Sequence, residues 1–406
     1  MTSEKILILS YAFPPLKVQM TPIVTKHLEV FTKLGYEVDV VSCDASTFWF
    51  GIDNSLSSFA SKKVSNLYLV ESTFNLSNLL LNKLIFSNTF ALKMRQLHSA
   101  SLKYLKKMDL SKYNAVITFS PFNTVNRVMI DLKKQQPDIP WIAQFSDPWA
   151  RNPLEKKKIV NLWNAYFEPK AVKAADAIIH CTPYSLDLML QGNLRKYKNK
   201  GYVIPHFFVE ELYPKRPKVK NDLITLRFLG TLFDNRNPGS FFKALDLMLS
   251  RRPDLKEKIS IELIGSVPEN MLNINELTSI PPGLIKTMGS VSYIESLELM
   301  YDADILLLIE ADVHQNVFFP SKLIDYLGAN TRILGLVSSG VSKDICEMLK
   351  TWHASPSDVV GISHNLEAAI DDVKRHPLFR GYDASIRNQF SVTTAAAHYD
   401  AIIKHL

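Results

Sequence analysis

Ile6-Leu7-Ile8-Leu9-Ser10 is a short, branched and nearly unbroken apolar run, and it reads as a buried strand. The residues beyond it change period. Met20, Ile23, Val24, His27, Leu28, Phe31 and Leu34 recur three or four apart, which places them on one face of a helix. Gly35 stands where a helix usually stops, and Val38-Asp39-Val40-Val41 begins a second strand. Strand, helix, glycine, strand is the opening unit of a parallel sheet with a right-handed crossover. The fold class is α/β.

The same grammar continues outward. Ala115-Val116-Ile117-Thr118, Trp141-Ile142-Ala143-Gln144-Phe145 and Ala177-Ile178-Ile179-His180 read as further strands, the last after a helix-like stretch over 159–175. Val203-Ile204-Pro205 closes this half. Pro214-Lys215-Arg216-Pro217-Lys218-Val219-Lys220 is charged and proline-rich, as a connector would be. A second series follows: Leu226-Arg227-Phe228-Leu229-Gly230, a helix over 240–250, Ile261-Glu262-Leu263-Ile264-Gly265, Ile305-Leu306-Leu307-Leu308-Ile309, a helix over 321–328 and Arg332-Ile333-Leu334-Gly335-Leu336. The pattern predicts an N-terminal domain over 1–205 and a C-terminal domain over 206–381. A helical segment over 382–406 either closes the second domain or crosses back to the first. Two Rossmann-like parallel-sheet domains of this kind are expected to face each other across a cleft. Ligands of such sheets gather beyond the carboxyl ends of the strands.

Composition narrows the chemistry. The chain has 406 residues, 47% apolar and 21% charged, which suits ordinary globular domains. A formal charge of +7 favours anionic partners such as nucleotide phosphates, but nucleic acid is not expected, since no zinc-finger or RNA-binding signature occurs. Cys43, Cys181 and Cys346 lie far apart without CxxC spacing, which argues for small buried residues in a reducing compartment. The ten histidines show no metal-ligand spacing, so neither metal nor cofactor is expected. There is no signal-peptide pattern and no run of eighteen apolar residues, which predicts a cytoplasmic protein, with contact at the inner face of the cell membrane left open.

Four segments, in order, resemble the GT-B glycosyltransferases, and specifically the retaining family often called family 4. They are Ile6 to Pro15 with the helix to Gly35; Val203-Ile204-Pro205-His206-Phe207; Phe228-Leu229-Gly230-Thr231-Leu232; and Tyr301-Asp302-Ala303-Asp304-Ile305-Leu306-Leu307 continuing to Phe319-Pro320-Ser321-Lys322-Leu323-Ile324-Asp325-Tyr326-Leu327-Gly328-Ala329. The resemblance implies a nucleotide-sugar donor held mainly by the C-terminal domain and a glycan or lipid-linked acceptor held mainly by the N-terminal one. It implies a retaining, metal-independent hexosyltransferase-like reaction, in the setting of bacterial polysaccharide or lipopolysaccharide biosynthesis.

On the donor side, Pro320-Ser321-Lys322 opens a helix whose amino end offers unpaired N–H groups and a full positive charge to diphosphate. The alternative is that Ser321 caps the helix and Lys322 is solvated. Asp325, one turn on, stands where the resembled family usually has a ribose-holding glutamate, with aspartate in its place; a helix-surface charge is the alternative. The acid that the family places eight residues earlier is Val317 here, with Glu310 and Asp312 nearby either as displaced candidates or as loop-surface charges. Arg236 can present a planar fork to the leaving phosphate, sharing the task with Lys322 because the family's second basic residue is missing. Gly230 allows close approach to the backbone.

On the acceptor side, Pro14-Pro15-Leu16-Lys17 replaces the open glycine turn of the family, and Lys17 either substitutes by charge or is merely exposed. Ser146-Asp147-Pro148-Trp149 follows a strand: Asp147 can position an acceptor hydroxyl or assist its deprotonation, and the Trp149 ring can stack on a pyranose. The alternative is an Asx-turn capping a core tryptophan. His206 reads either as a donor to the leaving phosphate or as a satisfied hinge histidine, and His27 as core. The catalytic candidates are Asp147, Arg236 and Lys322.

The region 75–108 alternates Leu79, Leu80, Leu84, Ile85, Phe90, Leu92, Met94, Leu97, Leu102 and Leu105 with lysines and an arginine. It reads either as a basic amphipathic segment resting on anionic lipid or as helices packed on the sheet. A dinucleotide oxidoreductase is disfavoured, because no GxGxxG follows the first strand. A non-catalytic nucleotide-sugar-binding relative and a nucleotide-sugar hydrolase or epimerase of the same fold stay open.

Overall fold

The computed structural model describes residues 4–47, 50–71, 89–218, 222–233, 236–272, 279–379 and 381–406. The chain forms two compact units, Met1–His206 with Val392–Leu406, and Phe207–Ser391.

The first unit is built on seven parallel strands, β1 (Lys5–Leu9), β2 (Glu37–Cys43), β3 (Asn66–Val70), β4 (Ala115–Phe119), β5 (Trp141–Phe145), β6 (Ala177–His180) and β7 (Gly201–Val203), in the order β3-β2-β1-β4-β5-β6-β7. Its helices are α1 (Met20–Lys33), α2 (Ser57–Ser61), α3 (Thr89–Leu105), α4 (Thr124–Lys133), α5 (Lys158–Ala174) and α6 (Pro183–Met189). β4, β5 and β6 are buried along their whole length, which is why they read as continuous apolar runs. β7 ends at Val203, earlier than the sequence suggests: Ile204 N–H still bonds to His180 O at 3.0 Å, but Pro205 has no N–H to continue the ladder.

The described part of the segment over 75–108 is α3. Met94, Leu97 and Leu105 are buried in the core of the first unit, and Ser101 Oγ pairs with Tyr11 Oη at 2.8 Å. These three apolar side chains pack on the sheet and are not open to lipid. Leu79, Leu80, Leu84 and Ile85 lie outside the described residues.

The second unit has six parallel strands, β8 (Ile224–Thr231), β9 (Ile259–Ser266), β10 (Ile285–Met288), β11 (Ile305–Ile309), β12 (Arg332–Leu336) and β13 (Trp352–Ala354), ordered β10-β9-β8-β11-β12-β13. Its helices are α7 (Gly239–Arg251), α8 (Tyr293–Asp302), α9 (Ser321–Ala329), α10 (Val341–Met348), α11 (Val359–Arg375) and α12 (Ala384–Asn388). The last helix, α13 (Val392–Ile403), returns to the first unit. There Tyr399 is fully buried, edge-on to His27 and Phe31, with its hydroxyl donating to Gln144 Oε1.

In each sheet the strand order reverses once next to the first strand of the series, between β1 and β4 and between β8 and β11. The carboxyl ends at these reversals are where loops diverge to opposite faces and leave room for a ligand.

Candidate functional site

The reversal in the second unit gathers most of the residues expected on the donor side. β8 and β9 run side by side with Gly230 opposite Gly265, and both glycines have positive φ, +150° and +124°. A Cβ on Gly265 would lie 2.0 Å from Gly230 O, and a Cβ on Gly230 would lie 2.2 Å from Lys322 Nζ. Only glycine lets these strand ends pass each other and leaves the Lys322 ammonium resting on the backbone of β8.

Lys322 is delivered by α9, whose N-cap is Pro320, and no side chain caps the helix. Ser321 is thus the first helical residue and not the cap. Tyr326 ties α9 to both central strands: its hydroxyl donates to Leu307 O at 3.2 Å and accepts from Leu229 N–H at 3.4 Å. Lys322 is half-buried and not a solvated surface lysine. Burial, and then the positive charge of Arg236, push its pKa down to about 8, with Asp325 opposing.

Arg236 bridges back to Phe233, and its guanidinium stands 5.1 Å from that ring's centroid. Burial lowers its pKa, and the Glu310 carboxylate opposes this. Its Nε is buried without a hydrogen-bond partner among the described residues, and the same holds for Oε2 of Glu310, which directly follows β11. Glu310 is 3% exposed, and its other oxygen accepts from the Ser342 hydroxyl of α10. Burial raises its pKa, while Ser342, Asn316 and Arg236 pull the other way. A buried guanidinium nitrogen and a buried carboxyl oxygen with no hydrogen-bond partner are costly unless something polar completes them.

Asp325 is also turned inward, at 4% exposure, with Oδ1 accepting from Tyr293 Oη at 2.9 Å and its carbonyl accepting from Tyr213 Oη at 3.2 Å. It is not a helix-surface charge.

In the first unit, Asp147 stands just past the end of β5 and makes no hydrogen bond among the described residues, so the Asx-turn alternative does not form. Burial raises its pKa to about 6. Trp149 is 3% exposed, stacked on Phe145 at 6.1 Å, with Nε1 donating to Asn164 Oδ1 at 3.0 Å. The expectation that its ring stacks on a sugar is corrected, because both the ring and its polar handle are used in the core. Lys17 is exposed, and no hydrogen bond or ion pair joins it to Asp147 among the described residues.

Sequence reasoning missed Glu168 of α5, which is 3% exposed and accepts from Ala150 N–H at 2.8 Å. Burial lifts its pKa to about 7, with that N–H and Arg151 opposing. It lies among helical residues beside Pro169, and no local pattern signals that it reaches back to the loop after Asp147. His27 and His206 are buried, and burial lowers both to about 3.

A chain of two parallel α/β units, each with one reversal of strand order, has the GT-B fold, and solved structures share it over nearly the whole length. HepE from Anabaena in complex with UDP and glucose superposes with a TM-score of 0.67 at 12% identity, covering 99% of this chain and 100% of that one. A glycosyltransferase from Rickettsia africae gives 0.65 at 14% identity, covering 99% and 98%. A putative UDP-N-acetylglucosamine 2-epimerase from Listeria monocytogenes gives 0.62 at 11%, covering 99% and 96%. No family model and no curated protein sequence matches the chain. Among the described residues no helix is long and apolar enough to cross a membrane, and no three His, Cys, Asp or Glu side chains group as metal ligands.

Proposed function

We propose that this protein is a glycosyltransferase that moves a sugar from a nucleotide diphosphate donor to a glycan or lipid-linked acceptor. The observation that carries the reading is the Lys322 ammonium lying over Gly230 at the amino end of α9, beside a half-buried Arg236 whose buried Nε is unused. A departing nucleoside diphosphate gains negative charge as the glycosidic bond breaks, and fixed cations with free helix amides lower the energy of that state. In this reading Arg236 and Lys322 share the phosphates, and Ser321 and the amides after Pro320 complete the cradle. Asp325 takes the ribose. Asp147 stands ready on the acceptor side, its raised pKa suiting proton transfer near neutrality. No step needs a metal or a protein nucleophile, and retention follows if the acceptor attacks from the face the diphosphate leaves.

The UDP-glucose bound by HepE makes UDP-sugars the first to try. The test is a panel of nucleotide sugars titrated by calorimetry into the full chain, repeated with Lys322→Ala and Asp325→Ala. The expected result is loss of about tenfold or more in the first variant, since a phosphate loses its charged partner. The second should lose affinity selectively for ribonucleotide over deoxyribonucleotide donors. Equal affinity in wild type and both variants would remove the assignment. The epimerase-like neighbour supports a second reading, and conversion of the donor sugar without any acceptor would favour it.

A further inference from the structure

Helix α5 turns a polar row toward the loop that precedes it. Asn161, Asn164 and Glu168 are spaced three and four apart, which puts them on one face of the helix. Ile159, Leu162, Trp163 and Tyr166 are exposed instead. A helix that only supported a sheet would bury its apolar set and leave the polar one in water. Each of the three polar side chains is spent on the segment between β5 and α5. Asn161 Nδ2 donates to Glu155 O at 3.1 Å. Asn164 grips Trp149 twice: its Oδ1 accepts from the indole Nε1 at 3.0 Å, and its Nδ2 donates to the Trp149 carbonyl at 3.1 Å. Glu168 accepts from Ala150 N–H at 2.8 Å.

Asp147 belongs to this segment, two residues before Trp149. Its carboxylate does not anchor it, since that group makes no hydrogen bond among the described residues. The backbone offers no substitute: among the described residues no N–H from Asp147 to Arg151 donates to a backbone carbonyl. The place of Asp147 is therefore set by its neighbours in the chain. On one side the Cys181 thiol donates to Ser146 O at 3.0 Å. On the other, beyond the fixed φ of Pro148, stand the bonds made by Asn164 and Glu168.

We infer that Asn164 and Glu168 are positioning residues for Asp147: they pin Trp149 and Ala150, and so fix where the Asp147 carboxylate stands. The bearing on catalysis rests on Asp147 acting in sugar transfer, where misplacing a reacting group by about 1 Å costs up to about a hundredfold in rate. The placement itself needs no substrate.

The test is carbon NMR titration of the side-chain carboxyls in the full chain, with the Asp147 signal identified by its loss in Asp147→Asn. Burial holds this carboxyl up at about 6. Freeing the loop opens it to water, so in Asn164→Ala and in Glu168→Met it should titrate lower, toward the ordinary value of about 4. Glu168→Gln removes the same carboxyl as Glu168→Met but keeps an acceptor for Ala150 N–H, and Asp147 should titrate there as in wild type. The Glu310 carboxyl of the second unit should stay unmoved in every variant, which separates release of the loop from general damage to the fold. The inference is overturned if Asp147 titrates in Asn164→Ala and Glu168→Met as it does in wild type. It is overturned too if Glu168→Gln moves Asp147 as far as Glu168→Met does, or if Glu310 moves along with it. Because the titration uses neither donor nor acceptor, a failure of Asp147 to act in transfer shows separately, as an unchanged rate in Asp147→Asn.

Discussion

Lys322 Nζ occupies the space that a side chain on Gly230 would need, 2.2 Å from the position of its Cβ. The end of β8 and the start of α9 are thereby fitted to each other through one missing methyl group. Gly230→Ala should displace the ammonium and weaken donor binding by about tenfold or more, a loss in line with that of one charge-assisted contact. Because Gly230 also has φ +150°, alanine there strains the backbone and lowers the melting temperature, so calorimetry with UDP is run well below the transition of the variant, where the drop in affinity should persist in the folded protein.

Because burial and Arg236 hold the free Lys322 near pKa 8, its proton should count in donor binding. A bound diphosphate favours the charged form, so the complex keeps a proton that the free protein gives up above about pH 8. Affinity should therefore fall as pH rises from 7 to 9, by close to tenfold per unit at the upper end, and proton uptake should appear in calorimetry run in buffers of different ionisation heat. Lys322→Arg should flatten this profile over the same range.

Asp147 sets the opposite limb. It carries charge above about pH 6, so kcat/KM for transfer should rise through that value and then fall as Lys322 deprotonates. Asp147→Asn should lower the transfer rate by about a hundredfold or more and leave donor affinity unchanged. An unaltered rate in that variant would take Asp147 out of the reaction.

Glu168 gives a stability prediction with a definite sign. Its carboxyl stays neutral in the fold up to about pH 7 but ionises in the unfolded chain from its ordinary, lower value. Its contribution is therefore present in acid and lost as pH rises through 7. Glu168→Gln keeps the acceptor for Ala150 N–H without the charge. It should melt with wild type near pH 4 and a few degrees above it near pH 8, read by scanning calorimetry.

The central strands were legible because burial on both faces leaves an unmixed apolar run: Trp141–Phe145, Ala177–His180, Ile305–Ile309 and Arg332–Leu336 stand where their residues predict. The edge strand β3 escaped because Leu67 and Leu69 are 44% and 49% exposed, so its pattern lacks a buried face. The short β13 has too few residues to show a period. At the site, Pro320-Ser321-Lys322 announced a helix start, but nothing in the sequence says that Lys322 lies on Gly230. Trp149 misled for the same reason. A tryptophan after a strand looks available until Asn164, contributed by another element, takes its N–H.

The return of α13 to the first unit has a bearing on biosynthesis. Tyr399 packs edge-on against His27 and Phe31 and reaches Gln144, so one packing position near the first helix is supplied by residues that leave the ribosome after the whole second unit. The second unit, contiguous from Phe207 to Ser391, has all its strands before that moment, whereas the earlier-made unit waits with an open seam. Nascent chains lacking 392–406 should consequently be protected from protease across the later half and cut within the earlier one.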